Sequence, residues 1–250
     1  MAVFYSKYNT GTVGICDIAG AFPFLKESGH IVSLVGAGGK SSLLYEMANY
    51  SSSIGLNTLV ATTTHIFKPN DGTYAENSEQ VKQLWSSGSY AVVGTDTCDG
   101  KLSVLPEASF QRLLEQAELV LIEADGSKQM PVKVPETHEP VIRPECDTVI
   151  GVLGLSALNR PLKEVCFRLE KARDFLQLGA DEIFTEVHAA KILLSELGTR
   201  KNVEQRDYTV VLNQCDTDEY MRRGRYILKI LEQDGIPGIM SKFMERVDYG

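Results

Sequence analysis

Ile31-Val-Ser-Leu-Val-Gly-Ala-Gly-Gly-Lys-Ser-Ser42 is the stretch around which the rest of the chain can be read. An apolar, β-branched run enters a glycine-rich turn, followed by Lys40, Ser41 and Ser42 and then a helical spacing through Leu43, Leu44 and Met47. That order predicts a buried strand, a phosphate-binding loop and a helix that opens where the phosphate sits. Gly36, Gly38 and Gly39 lack a Cβ, so the 36–39 backbone, Ala37 included, is expected to wrap an anion closely with its amides. Lys40 is expected to reach the outer phosphates, and the Ser41 hydroxyl, with Ser42 beside it, is placed to hold Mg2+. The expected ligands are therefore Mg2+ and a nucleoside triphosphate, ATP, GTP or another.

The motif departs from the full Walker A pattern, which asks for glycine where Leu34 stands. The shorter Gly-x-x-Gly-Lys-Ser form resembles the loop of Mur-type ATP-dependent ligases as much as that of GTPases. The bland alternative is a glycine-rich turn with an exposed lysine. The strand before and helix after the loop favour the nucleotide reading.

Three further stretches extend it. Thr58-Leu-Val-Ala-Thr62 reads as a second buried strand whose end, with Thr63, Thr64 and His65, would bring hydroxyls near a metal or terminal phosphate. Leu119-Val-Leu-Ile-Glu-Ala-Asp-Gly126 has the Walker B form, apolar residues and then acids. Either Glu123 or Asp125 would hold Mg2+ with Ser41, Gly126 lying beside the phosphates. Tyr208-Thr-Val-Val-Leu212 predicts a strand ending in Asn213-Gln-Cys-Asp216, which resembles the Asn-Lys-x-Asp base-reading motif of GTPases with Gln214 for lysine. Between the last two lies Ser127–Ile142, a proline-rich loop carrying Lys128, Lys133, His138 and Glu139. Such a loop, positioned by a rigid sheet, is a place for function. His138 is a candidate acid/base or ligand, and the lysines are candidates for holding phosphate or an anionic second substrate.

Elsewhere the pattern is plainer. Residues 1–30 read as an N-terminal extension, with a helix across Ile15–Leu25 that Pro23 interrupts. Polar Lys68–Asn77 predicts a mobile loop, Asp99-Gly100 a hairpin turn, and Glu219–Gln233 an amphipathic helix ending near Gly235. The expected fold class is α/β, a doubly wound, mostly parallel sheet of the P-loop NTPase type. All 250 residues are expected to form one domain: the extension, a motif-bearing core over 31–216, and a helix and tail over 217–250. A hydrophobic content of 43% excludes disorder, and no apolar run is long enough to span a bilayer. A formal net charge of −8 argues against nucleic acid as the main partner. The scattered cysteines (16, 98, 146, 166 and 215) never form Cys-x-x-Cys, which points to reduced thiols and a cytoplasmic location.

The 35–41 loop, the Thr62-Thr-Thr-His65 turn, Glu123-Ala-Asp-Gly126 with Lys133 and His138-Glu-Pro140, and Asn213-x-x-Asp216 follow one another in one order. Together they resemble the YqeC-type family, described as accessory proteins of selenium-dependent hydroxylases or selenium cofactor biosynthesis proteins. The resemblance implies a nucleotide-binding α/β fold and a role in maturing molybdenum hydroxylases that carry labile selenium. It implies no settled reaction. One departure is Val165-Cys-Phe-Arg168, where the resemblance leads one to expect a His-Arg pair. Any catalysis resting on that histidine would be altered here.

The leading expectation is an NTP-dependent accessory enzyme that transfers or hydrolyses phosphate during selenium or molybdenum cofactor assembly. Its second substrate would be a small anion, a selenium species or a cofactor precursor, facing Lys133, His138 and Glu139. The alternative is a nucleotide-gated, GTPase-like chaperone that docks on the apo molybdenum hydroxylase. A Mur-like ligase ranks last, because the chain is short and shows no separate substrate domain. Cys98, Cys146, Cys166 and Cys215 are each open to a role as selenium acceptor, although scattered cysteines are more often core residues.

Overall fold

The computed structural model describes residues 2–7 and 13–243. In chain order the elements begin with β1 (Ala2–Lys7), β2 (Val13–Cys16), α1 (Ile18–Ala21), β3 (His30–Gly36) and α2 (Lys40–Ser53). Next come β4 (Thr58–Thr62), β5 (His65–Phe67), α3 (Ser78–Ser86), β6 (Ala91–Val92), β7 (Thr95–Asp96), β8 (Lys101–Ser103) and α4 (Glu107–Leu114). The middle of the chain gives β9 (Leu119–Glu123), β10 (Val132–Lys133), β11 (Thr148–Gly154), α5 (Leu162–Val165), β12 (Cys166–Phe167) and α6 (Leu169–Leu176). It closes with α7 (Glu186–Leu194), β13 (Asp207–Asn213), α8 (Asp218–Gln233) and β14 (Gly238–Phe243).

Nine strands form one sheet in the order β2-β1-β14-β13-β11-β3-β9-β4-β6. Every pairing from β14 to β6 is parallel, and β1 and β2 add an antiparallel edge. The alternation along each strand decides which face it serves. Val32 and Leu34 of β3, Leu119 and Leu121 of β9, and Ile150 and Val152 of β11 pack on α1 and α2. On the opposite face, Val149 and Leu153 of β11 with Val210 and Leu212 of β13 pack on α6, α7 and α8. Val120 and Ile122 of β9 meet α3 and α4 on the side away from α2. Central strands buried on both sides carry continuous apolar runs, and helices on both faces make the sheet doubly wound. It is a doubly wound α/β fold with a mostly parallel sheet.

The chain leaves β3 through α2 for β4, two places away, returns to β9 beside β3, and then crosses to β11 on the other side. The reversal lies at β3. A doubly wound sheet opens a crevice beyond the carboxyl ends of its strands at such a point.

Two stretches differ from expectation. The helix predicted across Ile15–Leu25 is instead the end of β2, the four-residue α1 and a 3-10 turn over Pro23–Lys26. Asp17 caps α1 by accepting from the Gly20 amide at 2.6 Å, and proline at the start of the next turn stops further helix. The stretch beyond α8, expected as a tail, holds β14, wedged between β1 and β13. Residues 8–12 of the expected extension and 244–250 of the expected tail lie outside the described residues. In the Lys68–Asn77 loop the Lys68 amide donates to Gly100 O and the Ala75 amide to Val92 O, both at 2.9 Å. The Asp99-Gly100 turn joins β7 to β8 as a hairpin, with β5 pairing on its other side.

Candidate functional site

β3 ends at Gly36 and α2 starts at Lys40, so the glycine loop spans the reversal point. Gly38 takes φ +87°, and a Cβ there would stand 2.2 Å from the Gly154 amide nitrogen. Gly39 takes φ +107°, and its Cβ would stand 2.3 Å from Asn213 Nδ2. Both the backbone hand and the space demand glycine. Three of the loop's own amides, however, are already engaged. Gly36 N donates to Asp125 Oδ2 at 3.1 Å, Ala37 N to Val152 O at 2.9 Å and Gly38 N to Met130 O at 3.1 Å. Three of the four amides expected to cradle an anion, those of Gly36, Ala37 and Gly38, are thus held by the protein in this state. Those of Lys40, Ser41 and Ser42, in the first turn of α2, have no backbone acceptor among the described residues. They lie at the positive end of a 14-residue helix, where an anion is favoured.

Around the loop lies a buried charge network. Lys40 is 3% exposed; its Nζ donates to Gly36 O at 2.7 Å and lies 3.2 Å from Asp125 Oδ1 and 3.9 Å from Glu123 Oε1. Ser41 Oγ donates to Glu123 Oε2 at 2.7 Å. Lys133 is 1% exposed, with its Nζ 3.0 Å from Asp125 Oδ2, 2.9 Å from Glu139 Oε2 and 2.7 Å from Gly126 O. Arg168 extends the chain, with Nη2 at 2.9 Å from Glu139 Oε1 and Nη1 at 3.2 Å from Glu136 Oε1. Asp125 therefore joins the loop lysine to the segment that follows β9. Burial raises the Glu123 pKa against the pull of Lys40 and Ser41. Burial would raise Glu139 too, but the hydrogen bond and charge of Lys133 outweigh it and hold that carboxyl below its ordinary value.

The other expected residues divide sharply. Thr62 Oγ1 donates to Glu123 O at 3.0 Å and Thr63 Oγ1 to Val141 O at 2.9 Å, while the buried Thr64 Oγ1 has no hydrogen-bond partner among the described residues. Asn213 is buried, donating from Nδ2 to Gly38 O at 2.9 Å and accepting from Ser241 Oγ at 3.0 Å. Its amide is spent on bracing the loop. Asp216 is exposed on the turn beyond it. His138 is exposed, whereas its neighbour Glu139 sits inside the charge network. Lys133 is tied to Asp125, Glu139 and Gly126 O, so in this state it fixes the two carboxylates. Sequence reading met Arg168 only as half of an expected His-Arg pair and passed over Lys201 and Asn202. Lys201 Nζ donates to Thr137 O at 2.7 Å and also to Glu136 O, and Asn202 Nδ2 donates to Pro140 O at 3.0 Å. Burial pushes the Cys166 and Cys215 thiols up to about 12 and raises that of Cys146, while Cys98 is exposed.

The donors suit Mg2+ brought in with phosphate. Asp125 Oδ1 is buried and, although close to Lys40, makes no hydrogen bond. Ser41 Oγ and a Glu123 oxygen already adjoin. Among the described residues no three His, Cys, Asp or Glu side chains gather into a metal cage. An ion here would take one or two protein oxygens and complete its shell from phosphate and water, the habit of Mg2+. Among the described residues, no helix is long and apolar enough to cross a membrane.

A family model described as YqeC protein matches residues 32–170. The uncharacterized protein YqeC of Escherichia coli (strain K12) is 31% identical over 183 residues, covering 70% of this chain and 72% of that protein. A solved structure of HypB from Helicobacter pylori in complex with nickel shares 10% identity. It covers 86% of this chain and 92% of its own at a TM-score of 0.32, a likeness too loose to bear on function.

Proposed function

The chain belongs to the YqeC family, and from that premise we propose that it is a nucleoside-triphosphate-dependent accessory enzyme in selenium or molybdenum cofactor assembly for selenium-dependent molybdenum hydroxylases. The observation that carries the nucleotide part is the meeting of Lys40, Ser41, Glu123 and Asp125 at the ends of β3 and β9, under the first turn of α2. The triphosphate lies over the amides of Lys40–Ser42. Lys40 leaves Asp125 for a phosphate oxygen and offsets the charge that develops on the transferred or hydrolysed group. Ser41 with Glu123 or Asp125 holds Mg2+, which would neutralise phosphate charge and orient the group in transfer. Thr64, with its free hydroxyl at the end of β4, points to a role near the terminal phosphate. The 127–142 loop receives a small anionic second substrate, a selenium species or cofactor precursor. The protein works in the cytoplasm and leaves nucleic acid and membrane alone. The test is Mg2+-dependent turnover of ATP and GTP by the wild-type protein and by Lys40→Ala. Turnover by the variant at the wild-type rate would overturn this assignment.

One observation favours a second reading, a nucleotide-gated chaperone for the apo-hydroxylase. The Gly36 amide, the Gly38 amide and Lys40 are all held by the 125–130 segment, through Asp125 and Met130. Phosphate drawing Lys40 away must rearrange that segment, which gives nucleotide state a route to the surface. Capture of apo-hydroxylase in a single nucleotide state, with only slow intrinsic hydrolysis, would favour this reading over the enzyme.

A further inference from the structure

Glu136 is a carboxylate held among cations. Its Oε1 lies 3.2 Å from Arg168 Nη1 and its Oε2 3.0 Å from Lys171 Nζ, while its backbone carbonyl accepts from Lys201 Nζ. The chain as a whole is acidic, at a formal −8, so this gathering departs from its average surface. Lys128 adds a further positive charge nearby, 5.3 Å from the Phe167 ring that Arg168 covers from 4.7 Å. Arg168 is set in place at a cost: it takes φ +68°, a left-handed backbone that side-chain-bearing residues avoid, and its buried Nε has no partner among the described residues. The Lys201 pKa is lowered by burial and by Lys171, as expected where cations crowd together.

We propose that Arg168, Lys171 and Lys201 form the seat of a doubly charged tetrahedral oxyanion, free phosphate or a phosphate monoester, which the protein's own Glu136 fills in the state described. The inference rests on the reading that the 127–142 loop receives an anionic second substrate, and it gives that substrate a charge class. Three cations meet two carboxylates here, Glu136 and Glu139, and Glu139 is committed to Lys133 and Arg168 in the interior. When Glu136 swings out, two positive charges are left without counter-charge, which matches a dianion better than a single carboxylate. Arg168 keeps Nη2 on Glu139, and its Nη1, freed of Glu136 and flanked by ammonium groups, offers charge-assisted donation to a phosphate group. Glu136 can leave at little cost, because its carboxylate is 27% exposed and its partner Lys171 is 38% exposed, and ion pairs so near solvent contribute little.

The test uses the full chain with its nucleotide site first saturated by Mg2+ and a non-hydrolysable nucleotide. Inorganic phosphate and methyl phosphate are then titrated by calorimetry into wild type, Glu136→Gln and Lys171→Ala. The seat predicts phosphate binding that tightens about two- to fivefold when Glu136 loses its competing charge. It predicts weakening of about two- to tenfold in Lys171→Ala, whose exposed side chain can be removed without disturbing the core. Binding of both probes assigns the seat to a monoester, and binding of inorganic phosphate alone assigns it to the free ion. Absence of binding even in Glu136→Gln, or binding unchanged in Lys171→Ala, would overturn the proposal. Nucleotide binding measured in the same samples separates the two claims: if nucleotide binds and phosphate does not, only the seat is lost.

Discussion

Replacing Lys133 by methionine keeps an unbranched side chain one atom shorter and removes its charge. In the folded protein the ammonium is 1% exposed and serves Asp125, Glu139 and Gly126 O together. Taking away one partner of a buried ion network costs about 3–5 kcal/mol, because the charges left behind have already lost their water. Here Asp125 keeps Lys40 and Glu139 keeps Arg168, so the lower end, about 3 kcal/mol, applies. In a chain of this size that is a fall of roughly 6–12 °C in the unfolding midpoint. The loss also has a pH signature through Glu139. In the wild type its folded pKa is depressed, so its contribution is present above the unfolded carboxyl value and fades as pH falls through the folded one. In Lys133→Met, burial is opposed by the Glu136 amide and Arg168 without the lysine, the folded pKa rises, and the variant loses stability as pH climbs past the unfolded value. The gap between the two proteins should therefore be widest near pH 8 and shrink toward pH 5. Urea denaturation followed by circular dichroism at both pH values measures it. A loss below about 1 kcal/mol, equal at the two pH values, would refute the picture of a buried, mutually dependent network.

Two further outcomes follow from the same geometry. Cys166 and Cys215, with thiols pushed up to about 12 by burial, should resist iodoacetamide in the native protein at pH 8 while the exposed Cys98 reacts; rapid native labelling of either, read by mass spectrometry, would contradict their placement and reopen them as selenium acceptors. Asn213→Ala should weaken ATP and GTP binding by the same factor, since its amide braces Gly38 O, whereas Asp216→Ala should act on base preference alone; a purely base-specific effect of Asn213→Ala in calorimetric titrations would count against the bracing role.

What could be read from sequence was local. The Gly-x-x-Gly-Lys-Ser turn, the apolar run into Glu123 and the Tyr208–Leu212 strand declare themselves within a dozen residues, through periodicity and backbone demand. The pairing of those stretches into one sheet follows from general rules of parallel connection. What escaped depends on contacts across the chain. β14 was hidden because its six residues alternate weakly and gain their place only by lying between β1 and β13. Asn213 reads as a base-recognition residue, but its amide reaches back 175 positions to Gly38, and nothing in the local pattern signals that. His138 and Glu139 are adjacent in sequence, yet one points to solvent and the other closes the network, a choice made by Lys133 and Arg168. Lys201 carries no motif at all.

The central claim is that the 36–42 loop binds a nucleoside triphosphate with Mg2+. Thermal unfolding of wild type and Lys40→Ala against ATP, GTP and CTP, with and without Mg2+, addresses it most directly, each protein being compared with its own ligand-free midpoint. A ligand at a hundred times its dissociation constant adds about 2.7 kcal/mol, which at this size is a rise of roughly 5–11 °C. The account predicts such a rise for at least one nucleotide, dependent on Mg2+ and abolished in Lys40→Ala. No rise with any of the three, or an equal rise in the variant, would contradict it and leave a glycine turn closed on its own carboxylate.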